Sequence, residues 1–213
     1  MIIAIMPAHN EEKCIKEIVT RTKRYVDRII VVDDASIDRT YEISKKLPVF
    51  LIRHKKNTGL GGALRTGFRK AVLFAKSDND IIITIDADGQ HLPEEIPKFA
   101  KKIRQGYDFV LGCRDLSRYP LVKRIGNKFL SAMTNLFSGT NLKDTESGFR
   151  AFTKRSLTRL QLKAERYEIA VEIVREIGRN KIKSANVYIN SPVYVKGVGV
   201  RDGIKNFLYL FKH

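Results

Sequence analysis

A chain of 213 residues, 43% hydrophobic and 30% charged, can bury one full core, and this composition excludes a disordered protein. Forty Lys and Arg against 23 Asp and Glu leave a net charge of +17, which asks for an anionic partner: nucleic acid, nucleotide, phosphate or a membrane surface. No apolar run approaches the roughly 20 residues that cross a bilayer. There is no signal peptide, repeat or Pro/Gly/Ser linker, and Cys14 and Cys113 are expected as reduced thiols.

In chain order, hydrophobic periodicity alternates between two and 3.6 residues. A buried strand is expected over residues 2–6, an amphipathic helix over 11–26 and a strand over 28–34. A short helix follows over 38–47, capped by Ser36 or Asp38. A strand over 49–53 passes through a Gly-rich turn into a helix over 62–76. The apolar run before Asp86, a helix over 93–105 and a strand over 107–112 complete the first half. Alternation of this kind with uniformly apolar strands implies an α/β fold, a mostly parallel sheet covered by helices on both faces. In such sheets ligands sit beyond the carboxyl ends of the strands. Four polar clusters fall there: "PAHNEE" (7–12), "DDAS" (33–36), "HKKNTGLGG" (54–62) and "DADGQH" (86–91).

Asp86 and Asp88 stand two apart at a strand end, a spacing that turns two carboxylates toward one hard cation completed by substrate phosphates, as Mg²⁺ or Mn²⁺ is held. An EF-hand is excluded, because Gln90 replaces the third acid and Pro97 stands at the closing Glu. The Gly-rich turn satisfies neither phosphate signature: Leu64 occupies the third glycine of a dinucleotide fingerprint, and Phe68-Arg69 follows Gly67 where a P-loop needs Lys-Ser/Thr. Four scattered His, no C-x-x-C and no G-x-S-x-G give no zinc, Ser-His-Asp or Cys-His constellation.

The blocks "PAHNE", "VVDDASIDRT", "NTGLGGALRTG", "DADGQHLPEE", "GCR" and "DTESGFRAF" resemble, in order and spacing, the family 2 glycosyltransferases, most of all the branch of polyprenyl-phosphate (dolichyl-phosphate) mannose and glucose synthases. The resemblance covers about residues 2 to 175 and implies a single GT-A domain. Its nucleotide-binding part would be about 1–115 and its acceptor side about 116–200, with an amphipathic tail over 201–213. It implies inverting, metal-dependent transfer of a hexose, mannose or glucose, from a GDP- or UDP-sugar to a polyprenyl phosphate. Pro7, Ala8, His9 and Glu11 with Val32 and Asp34 would cradle the nucleoside, Asp33 being the close rival of Asp34. Asp86, Ala87, Asp88 and Gln90 would hold the diphosphate through Mg²⁺ or Mn²⁺, and Arg114 would meet phosphate or acceptor.

Three departures from the family pattern stand out. His9 replaces a usual Tyr, Ala35 replaces a usual Gly with little expected consequence, and "YVKGVGVRDG" (194–203) replaces an R-x-x-G-x-S-K stretch. There Lys196 and Arg201 substitute by type only.

Chemistry separates two acceptors. A sugar hydroxyl needs a general base, for which Asp144 or Glu146 is available, whereas a polyprenyl phosphate is already an anion. The basic excess favours the phosphate. A nucleotidyltransferase would carry a Gly-rich basic signature after its first strand, and "PAHNEE" has no glycine. With no RRM, KH or helix-turn-helix pattern and no Trp, nucleic acid is not the expected partner. The helix after Pro120 carries Leu121, Ile125, Phe129, Met133 and Leu136 as a stripe beside Lys123, Arg124 and Lys128. Taken alone, that stripe is expected to pack on the core. With a lipid acceptor, it and the apolar-basic segment 203–213 are expected to dock on an anionic membrane surface, and the protein is expected to be cytoplasmic and peripheral at that membrane face.

Overall fold

The computed structural model describes residues 1–117, 119–191 and 200–209, the last stretch with side chains from residue 205 onward. Seven strands form one sheet: β1 (Ile2–Ala8), β2 (Arg28–Asp33), β3 (Phe50–Arg53), β4 (Ile81–Thr84), β5 (Phe109–Arg114), β6 (Arg150–Thr153) and β7 (Ser184–Ile189). Their spatial order is β3-β2-β1-β4-β6-β5-β7, and β6 alone runs antiparallel to its neighbours. The α/β expectation therefore holds. The strand β6, four buried residues that the sequence showed only as part of a motif, was not foreseen.

Period-two alternation divides the strand side chains between two cores. Ala4, Met6, Val31 and Ile83 face α1 (Ile15–Thr22), α2 (Thr40–Ser44) and α4 (Ile96–Arg104). Ile3, Ile5, Ile30 and Ile82 face α3 (Gly59–Phe74) and α7 (Ile169–Arg179). Outside α7 lie α5 (Leu121–Ser138) and α8 (Val200–Tyr209), joined to it by Leu130, Val171, Met133, Phe207 and Tyr209. The small α6 (Lys154–Leu157) follows β6, with Thr153 as its side-chain cap.

Two helix starts differ from expectation. Residues 11–14 form a turn and not helix, because the backbone N–H groups of Glu11 and Glu12 are taken by Thr40 Oγ1 and Asp38 Oδ2 across the loop. α3 begins at Gly59, three residues early, since Asp34 satisfies its first N–H groups. The glycines there serve packing. A Cβ on Gly61 would lie 2.3 Å from the carbonyl oxygen of Ala164, so only glycine lets the 164–165 backbone close on the helix.

Candidate active site

Because β1, β2, β3, β4, β5 and β7 point the same way, their carboxyl ends share one rim, and the reversed β6 begins at that rim. The polar clusters of the sequence are thereby gathered with the segment 144–149. His9 is exposed on the rim, its Nδ1 2.9 Å from the Asp34 carbonyl oxygen. Pro7 and Glu11 are half-buried beside it. Val32 and Ala87 are core residues, 0% and 2% exposed on opposite sheet faces, so they offer the site backbone and no side chain.

Asp33 and Asp34, rivals in the sequence, separate here. Asp34 takes hydrogen bonds from the Thr58 N–H and hydroxyl and from the Gly59 N–H, at 2.8–2.9 Å, and from His54 at 2.7 Å. These bonds outweigh the effect of burial and hold its carboxyl below the usual 3.8. Asp33 is fully buried, and neither of its oxygens accepts a hydrogen bond among the described residues. Arg53 Nε approaches Oδ2 at 3.3 Å without hydrogen-bond geometry. The carboxylate is thus ion-paired with Arg53 but without the hydrogen bonds that buried carboxylates normally accept.

Asp86, one-third exposed, and Asp88 flank Ala87 beyond β4. Burial raises the pKa of Asp86 against the pull of Arg114 and Arg150, and burial followed by the Asp86 charge raises that of Asp88. Gln90 lies on Asp88, with its amide 2.5 Å and its backbone N–H 2.9 Å from the two oxygens, so it orients that carboxylate. His91, which sequence reasoning left without a role, is buried under Asp86. It accepts the Asp86 backbone N–H at 3.3 Å, lies 5.0 Å from the Phe149 ring and is kept neutral by burial, its pKa drawn down to about 4.

The acceptor side is an ion-paired assembly. Arg114 donates to both oxygens of Asp144 at 2.7 and 2.9 Å, and its backbone N–H adds a third bond at 3.2 Å. Burial opposes the Arg114 charge, yet the Asp144 carboxylate keeps its pKa above the ordinary value. Asp144, one of the two carboxylates expected as a base for a hydroxyl acceptor, is thus engaged by Arg114 and 3% exposed. Arg150 is buried and spends its guanidinium on the carbonyls of Thr145, Ser147 and Ala170, tying segment 145–147 to α7; burial lowers its pKa to about 10. Glu146 receives Asn206 of α8 at 2.8 Å. A buried arginine and a helix far along the chain give no local pattern, which is why neither was legible. Lys196, Arg118 and the Arg201 side chain lie outside the described residues.

The sequence pattern of Glycosyl transferase family 2 matches residues 3–162. The chain belongs to that family. It is 37% identical to a UDP-N-acetylglucosamine–dolichyl-phosphate N-acetylglucosaminyltransferase of Methanococcus voltae, over 99% of this chain and 94% of that one. It is 31% identical to a dolichol-phosphate mannosyltransferase of Pyrococcus furiosus, over 81% of this chain but 52% of the relative, so it spans about half of that protein's length. Among solved structures, glucosyl-3-phosphoglycerate synthase of Mycobacterium tuberculosis in complex with Mn²⁺, UDP and phosphoglyceric acid superposes with a TM-score of 0.76 at 19% identity, over 100% of this chain and 78% of that one. That likeness shows the GT-A fold. Among the described residues no group of three or more His, Cys, Asp or Glu forms a metal site, and no helix is long and apolar enough to cross a membrane.

Proposed function

We propose that this family 2 glycosyltransferase performs inverting, metal-dependent transfer of a hexose from a UDP-sugar to a polyprenyl phosphate. The observation that carries the reading is the Arg114–Asp144 pair. Its carboxylate is spent on orienting a guanidinium, which suits an acceptor that brings its own negative charge, where a hydroxyl would need a free base. Relatives named for dolichyl-phosphate and undecaprenyl-phosphate transfer support the acceptor. The UDP in the first-named relative and in the Mycobacterium tuberculosis complex favours uridine over guanosine in the donor.

Asp86 and Asp88 fit a divalent cation: the two carboxylates flank Ala87 on the rim, and after burial the Asp86 charge is the next cause that raises the proton affinity of Asp88, as a neighbouring carboxylate does when no cation separates the pair. Bound there, Mg²⁺ or Mn²⁺ would supply positive charge to the departing diphosphate. Gln90 and His91 hold the two carboxylates in place, and His9 lies open on the rim for the base of the nucleoside. The relatives carry different sugars, so they support a hexose-class donor without choosing mannose or glucose.

α5 supports the membrane surface as the place of reaction. Its face toward α7 is Leu130, Ser131 and Thr134, while Leu121, Val122, Ile125, Phe129 and Leu136 are 55–77% exposed. This corrects the core-packed expectation; of the stripe only Met133 turns inward. The assay is transfer from radiolabelled UDP-hexoses with Mn²⁺ to a short-chain polyprenyl phosphate, read by extraction into organic solvent. Labelled lipid is the expected product. Label appearing instead on an oligosaccharide hydroxyl, with none on lipid, refutes the reading.

A further inference from the structure

A cavity of about 40 Å³ adjoins Asp86 on the side away from α1, enclosed by Leu60, Leu64, Tyr167 and Ala170 with Glu146 and Gly148. Its polar groups are nearly all engaged. The Thr84 hydroxyl donates to the Gly148 carbonyl oxygen at 2.6 Å, and the guanidinium of Arg150, also on the wall, is spent on three carbonyls. The exception is Glu146. Its Oε2 takes Asn206, but Oε1 is buried and has no hydrogen-bond partner among the described residues. Gly148 keeps this space joined to Asp86, for a Cβ there would lie 2.7 Å from Asp86 Oδ2.

The size and lining select a ligand. About 40 Å³ is roughly three times what one water needs, so a single sugar hydroxyl would leave most of the cavity empty. The apolar wall repels a charged substituent, and the committed arginine cannot hold phosphate or carboxylate. A neutral group with an N–H for the orphan carboxylate oxygen and a methyl for the leucines fills it. We infer that this cavity receives the acetamido group of an N-acetylhexosamine donor, with Glu146 Oε1 accepting its N–H against the apolar surface of Leu60, Leu64 and Ala170. The inference rests on the donor site at Asp86 and Asp88 proposed above and adds which sugar that site takes. It departs from the mannose and glucose that the sequence resemblance implied.

The test is donor binding alone, without acceptor, by calorimetry in Mn²⁺ with UDP-N-acetylglucosamine, UDP-glucose and UDP. The native protein is expected to bind UDP-N-acetylglucosamine about 10-fold or more tightly than UDP-glucose, since a site built around an N–H rejects the analogue that lacks it. Ala170→Leu, and Ala170→Val should the larger side chain prevent folding, is expected to erase that ratio while leaving the UDP affinity unchanged. Glu146→Leu is expected to weaken the acetamido donor selectively. Equal affinities in the native protein, no binding of UDP-N-acetylglucosamine, or a variant that weakens all three ligands together overturns the inference. Selective binding without transfer to prenyl phosphate would keep it and sink the acceptor reading; glucose transfer to prenyl phosphate with no preference would do the reverse.

Discussion

Asp33 and Asp34 are neighbours in the chain with opposite surroundings. Asp34 serves the start of α3, so Asp34→Ala is expected to cost about 2–3 kcal/mol through a lost cap and unsatisfied buried N–H groups, seen as a lower denaturant midpoint with UDP affinity intact in the folded fraction. Weakened UDP binding by the folded Asp34→Ala protein would return to Asp34 the nucleoside role that the family resemblance implies. The pH dependence carries a sign. The folded pKa of Asp34 is depressed, so its contribution is present above the ordinary 3.8 and lost as pH falls through the folded value. Asp34→Asn should therefore flatten the acid limb of the stability curve below that pH and leave neutral pH without added slope. Ala35 stands where the family resemblance expects a glycine. Its φ is +57°, a left-handed conformation that disfavours a Cβ by roughly 1–2 kcal/mol. Ala35→Gly relieves that strain at some cost in unfolded-chain entropy and is expected to leave the melting temperature unchanged or raised by a few degrees; a clear drop would show that the methyl group is needed.

At the scale of elements, α5 shows what periodicity can and cannot tell. The stripe at Leu121, Ile125, Phe129 and Leu136 was visible in the sequence, but which way it faced was not, because burial depends on α7 offering Val171 to Leu130 on another side of the helix. The helices and the rim clusters were readable since each is written within a few residues. β6, the Arg114–Asp144 pair and the Asn206–Glu146 bond join positions that only the fold brings together. The exposed stripe predicts reversible docking. Lys123, Arg124 and Lys128 supply about 3 kcal/mol at an anionic surface, and the apolar residues the rest. Co-sedimentation with phosphatidylserine-containing liposomes at low salt should be abolished by Ile125→Glu with Phe129→Glu and reduced by high salt, with circular dichroism unchanged. Full binding by the double variant removes α5 from the interface.

For the molecule as a whole, donor and metal should act on stability together. A ligand at 100 times its Kd stabilises the folded state by about 2.7 kcal/mol, so UDP with Mn²⁺ is expected to raise the melting temperature by several degrees. UDP with EDTA, or UDP with Mn²⁺ on Asp88→Asn, should give little shift. An equal shift in all three would place nucleotide binding away from the two aspartates. The net charge of +17 has a reading at this scale as well: it favours anionic partners, among them the donor, acceptor and surface proposed above, and says nothing of the fold.

The reversed strand has a consequence for how the chain is made. β5 joins the sheet only by pairing with β6 and β7, both of which emerge after it during synthesis. A nascent chain that has reached residue 115 therefore holds both Asp86 and Asp88 and no strand with which to pair β5. Segment 144–149 and Arg150 arrive with the same strand that closes this gap. Joining β5 to the sheet and bringing segment 144–149 to the rim are thus one event, ahead of the edge strand β7, and a chain stalled before it exposes the unpaired β5.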